Sequence, residues 1–443
     1  MLTRIWAHLR TARGALLVAG GAVMLGGLIA AALLSSCRRE DLADQRTAPG
    51  AADRPLRLEG VPSVRVRVTD SPARQVMIGA AGACDVFMDD RKIAGAEAAL
   101  DPTPVTRTGT TWRIGSVTAQ GACVSVRPRG DGQVRLDGTN YRGRLLLVAR
   151  GEDRMLGINE VDMESYLAGV LPRELYPDWH AEAYRAQAVA ARTFALYHVI
   201  TGSPGAEYDL GAGQAAQVYG GADAETARSW DAVRRTHGLV LTVGGGGRDK
   251  VFMAQYSSCC GGRVNAARAI RPAADLAPLR GGQRDGHCAA CPRYQWDDVV
   301  VPTDAFYRAL LAYRPQAARR LGGVSDVRVA ERGAGRWVAW VTVVGTAGGS
   351  GEDVAERPTM QLRGQNLRLV LRRHVPVAAK LHSIQCDIRF DGNNVVFTEG
   401  RGFGHGVGLC QWGAQGKAMA GWSAERILGF YYPGARLIRA YAP

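Results

Sequence analysis

GRGFGHGVGLCQWGAQG, residues 400–416, sets seven glycines, one histidine and one cysteine into seventeen positions. Glycine is placed where a backbone takes positive φ or where another group must come close. The stretch therefore predicts a strand, a tight irregular turn and a helix beginning near Gln411. It is not a phosphate cradle. Glycines alternate at 402, 404, 406 and 408, and no register of that spacing gives G-x-G-x-x-G. A Walker loop fails as well: Gln411 stands where its first glycine belongs, and Ala418 replaces the Ser or Thr.

Working upstream, LVLTV-GGGGRD-KVFMAQYSS (239–258) reads as a hairpin with a loose glycine loop, Tyr256 and Ser257 ending its second strand. Residues 303–321 read as helical, 325–345 as paired strands, and 359–373 as a basic helix. The tail from Ser423 to Tyr432 reads as a short helix stopped by Pro433-Gly434. Further upstream, NEVDMESYLAGVLPRELYPDWHAEAYRAQAVAARTFALYHVITGSPG predicts two helices. The first starts near Asp162 and stops before Pro172, because a proline disfavours the α region for the residue preceding it. The second starts near Asp178, an N-cap type, and runs to His198, with Ala183, Ala186, Ala190, Phe194 and Tyr197 facing inward. From about 62 to 160 short alternating runs such as VRVRV and RQVMIG, punctuated by Asp-Gly turns, indicate a β-rich subdomain. The fold class expected is α+β: a β-rich N-terminal part with inserted helices, and a mixed sheet and helical C-terminal part around a substrate groove.

The chain of 443 residues is too long for one small core. Its 47% hydrophobic content excludes a disordered chain. The net charge of +14 fits an anionic partner or simply an Arg- and Ala-rich composition, so it decides nothing alone. At the N-terminus Arg4, Arg10 and Arg13 precede an uncharged stretch from Gly14 to Ser36, which reads as a signal peptide or membrane anchor. It ends in Leu34-Ser35-Ser36-Cys37, which resembles a bacterial lipobox with Cys37 as the lipidated residue. Residues 38–60 read as a charged, Ala/Pro-rich tether, and the folded part as 61–440. The chain is expected to be exported and held at the membrane, at the cell envelope.

Export gives the remaining eight cysteines a disulfide reading. Cys84–Cys123 is a reasonable local pair, with Cys259/Cys260 and Cys288/Cys291 bridging the same two segments. Zinc on Cys259, Cys260, His287, Cys288 and Cys291 is the alternative on composition. Adjacent cysteines serve one ion poorly, so the expectation is no metal and no cofactor.

The C-terminal stretch GRGFGHGVGLCQWGAQGKAMAGWSAERILGFYYPGARL resembles the signature of the stage II sporulation protein D family (SpoIID/LytB domain). YLAGVLPRELYPDWHAEAYRAQAVAARTFAL resembles the family's other signature, and QVYGG, YSSCCGG, CPRYQW and RGAGRW lie between them in the family's order. The resemblance spans about residues 62–440. It implies a lytic transglycosylase that cuts the MurNAc–GlcNAc bond of peptidoglycan strands freed of stem peptides, leaving 1,6-anhydro-MurNAc ends. It also implies Glu174, in the Pro-x-Glu step, as the catalytic acid. Arg173 and Leu175 replace the commoner Ser and Met without removing the carboxyl. Some members hold zinc in the segment before QVY, whereas YDLGAGQAAQVYGG (208–221) has neither Cys nor His.

One carboxyl suffices for this reaction because the substrate's own C6 hydroxyl is the nucleophile. The attack is intramolecular, and one Glu gives and then takes a proton. Such a Glu in a helix-to-helix connection is semi-buried, which raises its pKa. Arg185 and Arg192, seven apart, share one helix stripe and either meet substrate or form a solvated face. The resemblance favours Arg192. His405 either lines the sugar groove or clamps the turn; Gln411, Tyr256 and Ser257 are further groove candidates, and Trp412 or Tyr431 would stack on sugar or pack in the core. The partners expected are glycan strands, the membrane and a cell-wall amidase, with no nucleic acid. Two rival readings stand: a non-catalytic wall-binding protein that stimulates an amidase, and a hydrolase using a second carboxylate such as Glu182 or Asp178.

Overall fold

The structure, a computed structural model, describes residues 56–245, 249–271, 276–346 and 357–442. The signal segment, Cys37, most of the tether and the centre of the 244–249 glycine loop lie outside them. The chain divides into two compact units, one holding residues 60–174 and 198–226, the other 56–59, 175–197 and 227–442.

The first unit is β-rich, as the alternating runs require. Its larger sheet has seven strands in the order Leu210–Gly211, Ser63–Arg67, Arg154–Asp162, Arg144–Arg150, Cys123–Pro128, Cys84–Met88 and Arg91–Ala96. A six-stranded sheet is built on Gln75–Ala80 and Leu100–Thr108. Val64, Val66, Val124, Val126 and Leu145 are buried. Arg65 is buried among them because Asp209 meets its guanidinium at 3.1 Å. Helix α1 (Met163–Glu174) follows the last long strand, with Asp162 Oδ1 accepting from the N–H groups of Glu164 and Ser165 at 3.0 and 2.9 Å. The helix runs through Pro172 rather than stopping before it. Only the last turn lies beyond that residue, so the missing N–H costs one hydrogen bond near a frayed end.

Helix α2 (Ala181–Thr201) begins three residues later than the Asp178 expectation, with His180 Nδ1 accepting from Glu182 N–H at 3.2 Å. It is buried nearly all round rather than on one stripe, since Ala188, Val189 and Ala191 are as covered as Ala186 and Ala190. Alanine permits that close packing on every side.

The second unit continues with α3 (Ala227–Arg235), α4 (Thr303–Tyr313), α5 (Pro315–Leu321), α6 (Gly364–His374), α7 (Gln411–Met419) and α8 (Ala424–Tyr431). The 303–321 helical stretch breaks at Arg314 because Pro315 follows. Residues Thr359–Arg363, expected as helix, form a strand beside Val338–Val344 before α6 starts. One core gathers Phe306, Trp337, Leu371 and Phe397. A second gathers Phe252, Cys259, Cys410, Tyr431 and Tyr432.

Cys123 is disulfide-bonded, but none of the expected pairs forms among the described residues. Cys84, Cys259, Cys260, Cys288, Cys291, Cys386 and Cys410 are all free thiols. Register explains the failure of Cys84–Cys123. Cys84 stands opposite Pro128, five rungs from Cys123. That offset is roughly 16 Å along a strand, whereas a disulfide needs Cα atoms within about 7 Å.

Candidate active site

The glycine stretch is shaped as its sequence requires. It leaves the strand Asn394–Arg401 and reaches α7 through Gly402, Gly404, Gly406 and Gly408, whose φ values are 79°, 101°, 72° and 71°. The comb lies along residues 255–259. Phe403 and Cys259 exchange backbone hydrogen bonds at 2.8 and 3.0 Å, and Leu409 N–H donates to the Gln255 carbonyl at 3.2 Å. A Cβ on Gly408 would come within 1.9 Å of that carbonyl oxygen. The comb thus lets two backbones touch.

His405 is held by this turn. Its Nδ1 accepts from Val407 N–H at 3.1 Å, and its carbonyl accepts from Asn265 Nδ2 at 3.0 Å. Desolvation, assisted by Arg368, lowers its pKa to about 4, so the ring is neutral at neutral pH. These bonds make His405 a clamp of the turn. Ser257 Oγ accepts from Gly406 N–H at 3.1 Å. Tyr256 and Ser257 do not end the hairpin. They form their own short parallel pair with Leu409–Cys410, while the hairpin's second strand is Lys250–Val251. Gln411, the first residue of α7, is 5% exposed.

Glu174 is the last residue of α1 and half-buried. Its Oε1 accepts from the N–H of Val218 at 3.0 Å. That donor belongs to QVYGG (217–221), and the surrounding contacts show why these residue types stand there. The fully buried Gln217 accepts from Tyr166 Oη at 3.0 Å, and Tyr219 Oη donates to Asn159 Oδ1 at 2.9 Å. Asn159 is itself held by the Arg142 and Arg144 carbonyls. Gly220 N–H donates to Gly169 of α1 at 3.2 Å. Burial raises the Tyr166 phenol well above its ordinary value, and the Glu174 charge adds to the effect. The strap therefore fixes the Glu174 carboxyl against a buried tyrosine–amide network. Sequence reading found QVYGG but not its task; Tyr166, Gln217, Tyr219 and Asn159 were missed, since no spacing links them.

The arginine stripe packs along a seam with α3, with Arg192 inside it and Arg185 partly exposed at its edge. Arg192 is fully buried and donates to Thr236 Oγ1 (3.3 Å) and to the carbonyls of Leu239 (3.2 Å) and Val233 (3.5 Å). It thereby neutralises carbonyls at the α3 C-terminus, where a cation is favoured. Arg185 pairs with Glu182 on its own helix and lies 3.5 Å from Asp231 of α3. Arg192 cannot touch a glycan. Glu182, one of the two second carboxylates considered for a hydrolase, also accepts from Ala424 N–H at 2.6 Å at the start of α8, whereas the other, Asp178, is exposed. Glu182 is committed to structure.

In the second unit Tyr176, Trp179 and Trp412 form a triangle of rings with centroids 5.3, 5.7 and 5.1 Å apart. Tyr176 is 55% exposed, an unusual state for a large ring. It follows Glu174 by two residues. Tyr431, in contrast, is fully buried and donates to Asp285. Tyr176 and Trp179 escaped the sequence reading because nothing there brings 176–179 to 412.

A family described as stage II sporulation protein matches residues 151–243, the span that holds Glu174 and its strap. An uncharacterized protein of Brachyspira hyodysenteriae is 32% identical over 304 residues, covering 68% of this chain and 73% of its own length. The stage II sporulation protein D of Bacillus subtilis is 25% identical over 344 residues, 74% of this chain and 88% of that protein. The amidase enhancer of Bacillus subtilis is 27% identical over 61% of this chain, which spans 40% of that longer protein. With these matches running well beyond the Glu174 region, the chain belongs to the stage II sporulation protein D family.

Proposed function

We propose that this protein acts outside the cytoplasm on the bacterial cell wall, as a lytic transglycosylase cutting glycan strands with Glu174 as acid and base. The observation that carries the reading is the Glu174 carboxyl, half-buried at the end of α1 and held in orientation by the Val218 N–H. A proton donor for a glycosidic oxygen needs that combination of access and fixed geometry. Glu182 is tied to Arg185 and Ala424, which speaks against a hydrolase using Glu182, and product mass decides the version that would use the exposed Asp178.

Tyr176 and Trp412 are the ring faces offered to sugar. Replacing Tyr176 or Trp412 by alanine should weaken binding of peptide-free glycan strands about fivefold, one ring contributing roughly 1 kcal/mol. Isothermal titration with purified strands reads this directly. An unchanged Kd in both variants removes the rings from the substrate surface.

The defining test is product mass. The protein incubated with peptide-free glycan strands should release fragments one water lighter than hydrolytic products, because the C6 hydroxyl rather than water closes on the anomeric carbon. Fragments with ordinary reducing ends would assign a hydrolase. The amidase enhancer relative supports a second reading, a wall-binding partner that stimulates an amidase. Binding to sacculi without cleavage, together with faster release of stem peptides by an added amidase, would establish that instead.

A further inference from the structure

Three distant segments of the second unit bring sulfur into one buried pocket. Cys260 follows the Tyr256–Ser257 strand, Cys288 closes a short turn at Gly286–Cys288, and Cys410 ends the glycine comb. The Sγ atoms of these three and a carboxylate oxygen of Asp285 all lie within 4.8 Å of one another, and all four residues are buried. Cys260 Sγ is 3.6 Å from Cys288 Sγ and 3.6 Å from Asp285 Oδ2.

We infer that Cys260, Cys288, Cys410 and Asp285 form a structural zinc site. The expectation from sequence was disulfides and no metal, and it left Cys410 out because nothing in the spacing connects 410 with 260 or 288. The separations carry the inference. Sulfurs bonded to one another stand about 2.05 Å apart. Two sulfurs on one tetrahedral zinc, each at about 2.3 Å, stand about 3.8 Å apart, and a sulfur and a carboxylate oxygen about 3.5 Å. The observed 3.6 Å distances fall on the zinc edges.

The surroundings suit thiolates. Cys410 Sγ accepts from Cys260 N–H at 3.2 Å and from Gly413 N–H at 3.3 Å. Just outside the quartet, Cys291 Sγ accepts from Arg293 N–H at 3.4 Å, in a Cys-x-x-Cys step with Cys288. Lys417 Nζ lies 2.5 Å from Asp285 Oδ1 and offsets part of the negative charge that three thiolates and a carboxylate would bring. Binding releases the three thiol protons. The ion would tie the exit of the comb to α7 and so hold Gln411 and Trp412 at the start of that helix. These contacts do not depend on cleavage by Glu174, so the site stands or falls separately from the enzymatic reading.

The test uses the full chain, purified without chelator. About one zinc per chain should survive dialysis and be released as p-hydroxymercuribenzoate titrates the thiols. Exchange for cobalt chloride should give intense sulfur-to-cobalt charge-transfer absorption and the d–d bands of a tetrahedral site. Cys410→Ser should lower retained zinc at least tenfold after dialysis. If that variant does not fold, the wild-type cobalt spectrum still decides, since its charge-transfer intensity counts thiolate ligands. Zinc-free protein whose peptide map shows a disulfide joining any two of Cys260, Cys288 and Cys410 overturns the inference. So does zinc-free protein that stays unloaded and spectroscopically silent when zinc or cobalt chloride is added.

Discussion

Glu174→Gln should lower glycan cleavage about 10³-fold while leaving thermal stability unchanged, the size expected when general acid–base catalysis is removed. That loss corresponds to about 4 kcal/mol of barrier. Glutamine keeps a carbonyl oxygen where Oε1 accepts from Val218 N–H, so the strap contact survives. It cannot deliver a proton to the leaving oxygen or take one from the C6 hydroxyl. The comparison is made by mass spectrometry on peptide-free strands, with circular dichroism melts run on both proteins. More than about a tenth of wild-type cleavage remaining in a folded variant would assign the acid to another residue. Equal sacculus binding by the two proteins would then separate the catalytic loss from any loss of affinity.

The placement of Glu174 was legible because it lies inside one continuous motif, and local order in sequence became local geometry. The comb was legible for the same reason: alternate glycines announce positive φ, and all four adopt it. What failed was every inference that needed to know what an element packs against. Arg185 and Arg192 have the spacing of a surface stripe, yet α3 covers that face and turns Arg192 into a buried clamp on backbone carbonyls. Residues 359–363 have helical composition, yet a neighbouring strand claims them for its ladder. Cys84 and Cys123 are close in a list of cysteines and five rungs apart in the sheet. Sequence separation misleads in the opposite direction as well: Cys410 joins Cys260 and Cys288 although positions 260 and 410 are 150 apart in the chain.

Lys417→Met should destabilise the zinc-free protein by about 3–5 kcal/mol, the cost of leaving one member of a buried ion pair without its partner. Lys417 is 1% exposed and Asp285 not at all, with 2.5 Å between Nζ and Oδ1. The Lys417 ammonium also meets Tyr431 Oη at 3.1 Å and stands 4.0 Å above the Phe430 ring. An exposed pair such as Arg436–Asp249, its arginine half in solvent, should by contrast contribute no more than about 1 kcal/mol. The difference arises because methionine fills the lysine's volume but leaves the Asp285 charge in a site water does not reach. Gly413 permits this burial: a Cβ there would fall 2.1 Å from Asp285 Oδ2. Removing both charges tests the argument. Asp285→Asn with Lys417→Met should recover most of the stability lost in Lys417→Met alone, because a neutral amide is far cheaper to bury than an unpaired carboxylate. The four proteins of the cycle are compared by urea unfolding with zinc chelated, since an ion on Asp285 would itself partner the carboxylate and Asp285→Asn would remove one of its ligands. A Lys417→Met cost below about 1 kcal/mol would mean that Asp285 is not held as a buried carboxylate by this lysine, and that the start of α7 is fixed by its sulfur neighbours instead.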